Sequence, residues 1–186
     1  MSKKTKSYKT LRVKFNYTIE NPKEKSKNTY KGYAFIAGKK YKLITPGNVI
    51  FSDGTTVWSY LKEAQEMTIS EPDEDEESIL NPSRLFTIYE KGFKFQYIGQ
   101  EKTKEGKVFD VIDLFPEKPE KKKFSRIRLR ILPKEMQLKS IHSFGTNGTH
   151  VIINILEYKA NVKISDKLFK FDKNKYPKDL EIVDIR

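Results

Sequence analysis

Along residues 11–20, LRVKFNYTIE, apolar and polar positions alternate without a break. Leu11, Val13, Phe15, Tyr17 and Ile19 share one side; Arg12, Lys14, Asn16, Thr18 and Glu20 share the other. A period of two is what a half-buried β-strand requires. Asn21-Pro22 ends the run, and residues 23–28 read as a polar loop. A second strand is predicted over residues 29–37. The same period recurs at Tyr41 and Leu43 between Lys40 and Lys42, and at Phe93, Phe95 and Tyr97. It is strictest where Ile127, Leu129 and Ile131 oppose Arg126, Arg128 and Arg130. Residues 107–116, KVFDVIDLFP, are apolar on both sides, so both faces of that strand should be covered.

The punctuation between these runs is turn chemistry. Gly38-Lys39, Pro46-Gly47-Asn48 and Thr146-Asn147-Gly148 each supply it, and Asp53-Gly54 is a strong hairpin signal between the runs 49–52 and 56–60. Further strands are predicted over 65–69, 138–144, 149–158 and 180–185, and a capped helical turn over 165–169. One segment reads as a proper helix, residues 81–92. Asn81 suits its N-cap, Pro82 its first position and Gly92 its C-terminal stop. Leu85, Ile88 and Tyr89 fall on one side of it at helical spacing. About ten strands and one helix make a mainly β chain with few helices. Strands do not alternate with helices, which removes the doubly wound and TIM-barrel folds. A closed barrel, a sandwich and a strongly curved open sheet remain.

At 186 residues the chain is predicted to form a single domain, 1–186. It has no cysteine, so disulfides and thiolate chemistry are excluded. The formal net charge is +12. The basic residues gather in 3–40 and 118–130, and an acidic run, EPDEDEE, occupies 71–77. A basic exterior can steer a protein toward anionic head groups, acidic partners or nucleic acid, although charge runs are most often solvated faces.

Catalytic constellations are scarce. His142 and His150, the two histidines, fall on the two strands of one predicted hairpin and can approach each other; no local carboxylate cluster completes a metal set, and no metal or cofactor is expected. Asp110 and Asp113 are an odd number apart on one strand and point to opposite faces. There is no nucleophile elbow and no phosphate-binding glycine loop. An enzyme is therefore not expected. Arg126, Arg128 and Arg130 could track phosphates, but no aromatic is expected to share the basic face and stack on bases, so nucleic-acid binding is the weaker alternative.

Residues 32–60, with Gly32, Pro46, Ser52-Asp53-Gly54, Trp58 and Tyr60 in order, resemble the LolA-like lipoprotein carriers of the bacterial periplasm. The resemblance extends to Pro82-Ser83-Arg84-Leu85-Phe86, where the family begins its lid helix. It extends also to the closing stretch from Asn161 through Phe169 and Phe171 to Arg186. The lysine-rich version here is most similar to the Bacteroidetes type. The resemblance implies an unclosed antiparallel β-barrel, a strongly curved sheet of the LolA/LolB kind with a helical lid, holding acyl chains in an apolar cavity. It also implies that the native protein begins before residue 1, with a secretion signal and most of a first helix preceding it. Residues 5–10 would then be the last turn of that helix.

On this resemblance Phe15, Tyr17, Tyr41, Leu43, Phe95, Ile127 and Leu129 line the concave lipid-binding face, and Leu85, Ile88 and Tyr89 point down from the lid. A filled core uses the same residue types. The implied function is a monomeric periplasmic chaperone in outer-membrane biogenesis. It would take lipoproteins from an inner-membrane releasing complex to an outer-membrane acceptor. A carrier or sensor for another lipid or lipoprotein of the envelope is the alternative. Some members carry an arginine just after strand 2 that latches the lid; Ala37-Gly38-Lys39-Lys40 has none, and lysine lacks the planar fork.

Overall fold

The computed structural model describes residues 7–72, 81–82 and 92–186. Twelve strands occur among them: β1 (Leu11–Asn21), β2 (Ser26–Ala37), β3 (Lys40–Ile44), β4 (Asn48–Ser52), β5 (Val57–Leu61), β6 (Glu66–Ser70), β7 (Phe93–Lys102), β8 (Val108–Pro116), β9 (Phe124–Leu132), β10 (Gln137–Gly145), β11 (His150–Ala160) and β12 (Glu181–Asp184). They make one sheet in the order β12-β6-β5-β4-β3-β2-β1-β11-β10-β9-β8-β7. The order has two free ends, so the sheet is not closed into a barrel. Residues 83–91 of the helix predicted over 81–92, and with them Leu85, Ile88 and Tyr89, lie outside the described residues. Helical structure among the described residues is limited to short 3₁₀ turns. The predicted turn at 165–169 is one of them: Ser165 caps it, its hydroxyl accepting from the Lys167 backbone N–H.

One prediction needs correcting. The polar stretch 23–28 is not all loop, because β2 starts at Ser26 and only a short turn separates it from β1. Ser26, Lys27 and Asn28 are exposed, so they carry no hydrophobic signal that they are extended. Their pairing beside β1 makes them a strand.

The described residues fall into two compact units. The first contains residues 15–30 and 92–156. Its strands β7 to β11 form an antiparallel meander with a well-defined register. One rung runs Tyr97–Ile112–Leu129–Ile141–Ile153 and another Phe95–Leu114–Ile127–Ser143–Val151. Because paired residues point the same way, these rungs lie on one face. The opposite face carries the rung Gln96–Asp113–Arg128–His142–Ile152. The β10–β11 hairpin is closed by a tight turn. The Gly145 N–H donates to the Thr149 carbonyl at 3.0 Å, and a Cβ on Gly145 would stand 2.3 Å from that oxygen. No other residue type fits there without moving the backbone.

The second unit contains residues 8–14, 31–72 and 157–186. Its strands β3 to β6 are again an antiparallel meander. Phe51, Met67 and Leu180 form a buried cluster, with Trp58, Tyr60, Phe171 and Tyr176 packed against it. Phe171 stacks on Phe51 with ring centres 6.5 Å apart, and Tyr176 meets Tyr60 edge-on at 4.8 Å. The segment 169–180 thus covers one face of this meander before β12 joins β6 in parallel, Glu181 beside Glu66.

Candidate functional site

Alternation sets up an apolar face in the first unit. Ile127 and Leu129 are fully buried, as are Leu114, Ile141 and Ile153 beside them. The rungs then run outward to β7, the last strand of the sheet, where Phe95 and Tyr97 are 60% and 61% exposed. The face passes from a sealed interior to open aromatic surface within one strand spacing. Large exposed aromatics contiguous with a buried apolar face are what a ligand-contacting surface presents. Ile98, the unpaired residue at a register shift in β7, is also exposed.

The predicted lining residues are thus placed as follows. Phe95, Ile127 and Leu129 share one face of the first unit through the register. Phe15 is buried in β1, with the Tyr17 ring centred 6.4 Å from its own; Tyr17 is half-buried and stacks on Tyr30 at 5.1 Å. Tyr41 and Leu43 are buried in the second unit, opposite Ile36 and Ala34 of β2 on one face. That face is not the one holding Phe51, since the Phe51 rung passes through Lys42. Tyr97, Ile112, Leu114, Ile141 and Ile153 belong to the apolar face as well and were not predicted. β8 is apolar on both sides, so only its register could assign Ile112 and Leu114 to one of them.

The other face of the first unit is polar, and its arginines are engaged by carboxylates. Asp113 is 1% exposed and accepts from Arg128 through Nε at 2.7 Å and Nη2 at 2.9 Å, and from Arg126 at 3.2 Å. The Arg128 hydrogen bonds, with the nearby guanidinium charges, hold the Asp113 carboxyl below its usual range. Arg130 engages Glu101 at 2.7 Å. Arg126 also lies 4.1 Å from the centre of the Phe144 ring. An aromatic therefore does share the arginine side, which the pattern within β9 could not show; Phe144 arrives from β10, opposite Arg126 in the register. In the second unit, burial lowers the Lys42 pKa with Lys175 adding to it, and the ammonium sits 5.3 Å above the Phe51 ring.

The family model described as "Outer membrane lipoprotein carrier protein LolA" matches residues 6–172. The chain belongs to the LolA family. No curated protein matches the sequence. Among solved structures, an uncharacterized conserved protein from Thermus thermophilus superposes with a TM-score of 0.56 at 14% identity, over 92% of this chain and 90% of that one. A DUF1329 family protein from Desulfovibrio piger gives 0.52 at 10% identity, over 91% and 92%. A LolA superfamily protein from Nitrosomonas europaea gives 0.47 at 9% identity, over 89% and 91%. At such identities the first two likenesses speak for the fold alone. The unclosed β architecture expected of a LolA-like chain is the architecture observed.

Proposed function

We propose that this LolA-family chain is a periplasmic, non-enzymatic carrier that shields the acyl chains of lipoproteins on its apolar face. It would receive them from an inner-membrane releasing complex and pass them, as a monomer, to an outer-membrane acceptor. The observation that carries the reading is the rung from Leu129 through Ile112 to Tyr97, with its neighbour from Ile127 through Leu114 to Phe95. Both continue a buried apolar face into exposed aromatics at a free end of the sheet. Burial of each acyl methylene is worth about 0.8 kcal/mol, so such a face can hold a lipid anchor without any directional contact. A sheet that is not closed can also deform to release it. No helix of the described residues is long and apolar enough to cross a membrane. The arginines of β9 are already engaged by Asp113 and Glu101, which favours the carrier over a phosphate-tracking surface.

The test is binding of a fluorescent fatty acid, with mass spectrometry of lipid co-purified from the periplasm. Phe95→Glu replaces an exposed side chain and is expected to leave thermal stability nearly unchanged. It should weaken probe binding about tenfold or more, the equivalent of losing one buried aromatic contact. Leu43→Glu and Leu129→Glu serve as companions. Undiminished binding in all three variants would show a filled core and end the proposal.

A further inference from the structure

We infer that Glu20, His142 and His150 form a binding site for a divalent transition-metal cation of the zinc class. Glu20 lies on β1, His150 on β11 and His142 on β10, three consecutive strands of the sheet within the first unit. One ligand atom of each falls within 4.8 Å of the other two. His142 stands opposite Ile152 in the register, two residues from His150, so the two imidazoles are diagonal neighbours. Their ring centres are 5.2 Å apart at 60°. The pair anticipated across the β10–β11 hairpin therefore exists, and the carboxylate missing from the local sequence is supplied by β1.

Three details separate this cluster from ordinary packing. His142 Nε2 is buried and has no hydrogen-bond partner, an uncommon state for a buried ring nitrogen. His150 Nδ1 stands 3.8 Å from Glu20 Oε1, too far for a hydrogen bond. Two ligands on one tetrahedral zinc, each about 2.0–2.1 Å from the ion, are separated by a similar gap. All three side chains are half-buried, so a fourth position can be filled by water. Two imidazoles and a carboxylate suit zinc and its neighbours rather than calcium or magnesium, which prefer oxygen alone.

Electrostatics allows it. The nearby Arg126 and Arg130 would repel a cation, but Arg130 is matched by Glu101 and Arg126 shares Asp113 with Arg128; Lys27, 3.3 Å from Glu20 Oε2, would have to give up that contact when Glu20 binds the ion. The cluster shares its face with Arg128, opposite to Ile127 and Leu129. Its occupancy is thus independent of the carrier reading.

The experiment is calorimetric titration of the untagged full chain with zinc chloride at neutral pH, repeated with cobalt(II) as a spectroscopic probe. A chain without cysteine offers no thiolate to compete. We expect one saturable site, a tetrahedral cobalt d–d band, and a thermal midpoint that rises with zinc. His142→Ala loses the ring's stacking on Phe144, 3.8 Å away centre to centre, but no hydrogen bond from the buried Nε2; it should keep the fold and weaken binding about tenfold or more. Glu20→Gln and His150→Gln should do likewise. No saturable binding by the parent chain, or binding left undiminished in His142→Ala and in the His142→Ala/His150→Ala double variant, would overturn the assignment.

Discussion

Asp113 and Arg128 face each other across β8 and β9 in a two-bond fork, with the carboxylate all but sealed from solvent. Arg126 adds a third bond to the same carboxylate. Among the described residues this is the one charged side chain that is fully buried.

Asp113→Asn is expected to destabilise the protein by about 2–3 kcal/mol. Removing one partner of a buried pair costs more than the pair itself contributes, because the other charge is stranded; both guanidiniums reach water here, which moderates the loss. Urea unfolding of the two proteins checks it. A loss below about 0.5 kcal/mol would mean the fork is no more than a surface pair.

The same carboxylate sets an acid limit. Its folded pKa lies below the usual 3.8. Its contribution is therefore complete above that value and is lost as pH falls through the lower, folded one. Stability measured from about pH 5 downward should fall more steeply in the parent than in Asp113→Asn. Parallel curves would assign the acid sensitivity elsewhere.

Phe51→Ala should cost about 3–5 kcal/mol, the range for a fully buried aromatic replaced by alanine. Phe51 touches Trp58, Phe171 and Tyr176, so the loss should loosen residues 171–176 as well. Trp58, the sole tryptophan, reports on it directly. Its emission should shift to the red in the folded variant, and an unchanged spectrum would count against this packing.

Gly145→Ala should cost about 1–3 kcal/mol through overpacking, because the new methyl meets the Thr149 carbonyl rather than a yielding side chain. Gly47→Ala, with open space at the same position, is the control and should be close to neutral. Thermal unfolding of the pair decides it.

The strands were legible wherever one side of the chain stays dry. β1, β3 and β9 follow from Phe15, Leu43 and Leu129 recurring at every second position, and β10 from the turn at Thr146-Asn147-Gly148 that it flanks. What alternation cannot say is which strand lies alongside. That Asp113 meets Arg128, that Glu20 joins His142 and His150, and that Phe144 covers Arg126 are all consequences of pairing between distant segments. Ser26–Asn28 were missed because hydrogen bonding to a neighbour, not side-chain burial, makes them extended. Phe95 falls on the face of Ile127 and Leu129, but its exposure depends on β7 being the last strand of the sheet. The resemblance to LolA-like carriers supplied the unclosed architecture that periodicity had left open among three choices.

β12 lies in parallel beside β6, although the two are far apart along the chain. The margin of the sheet at β6 is therefore hemmed by a distant segment, residues 181–184, and not by a neighbour in sequence. Were that seam undone, a row of bare amides and carbonyls would offer itself to any passing ribbon, including one from a sister chain. The short β12 thus trades a longer bare margin for a four-residue one.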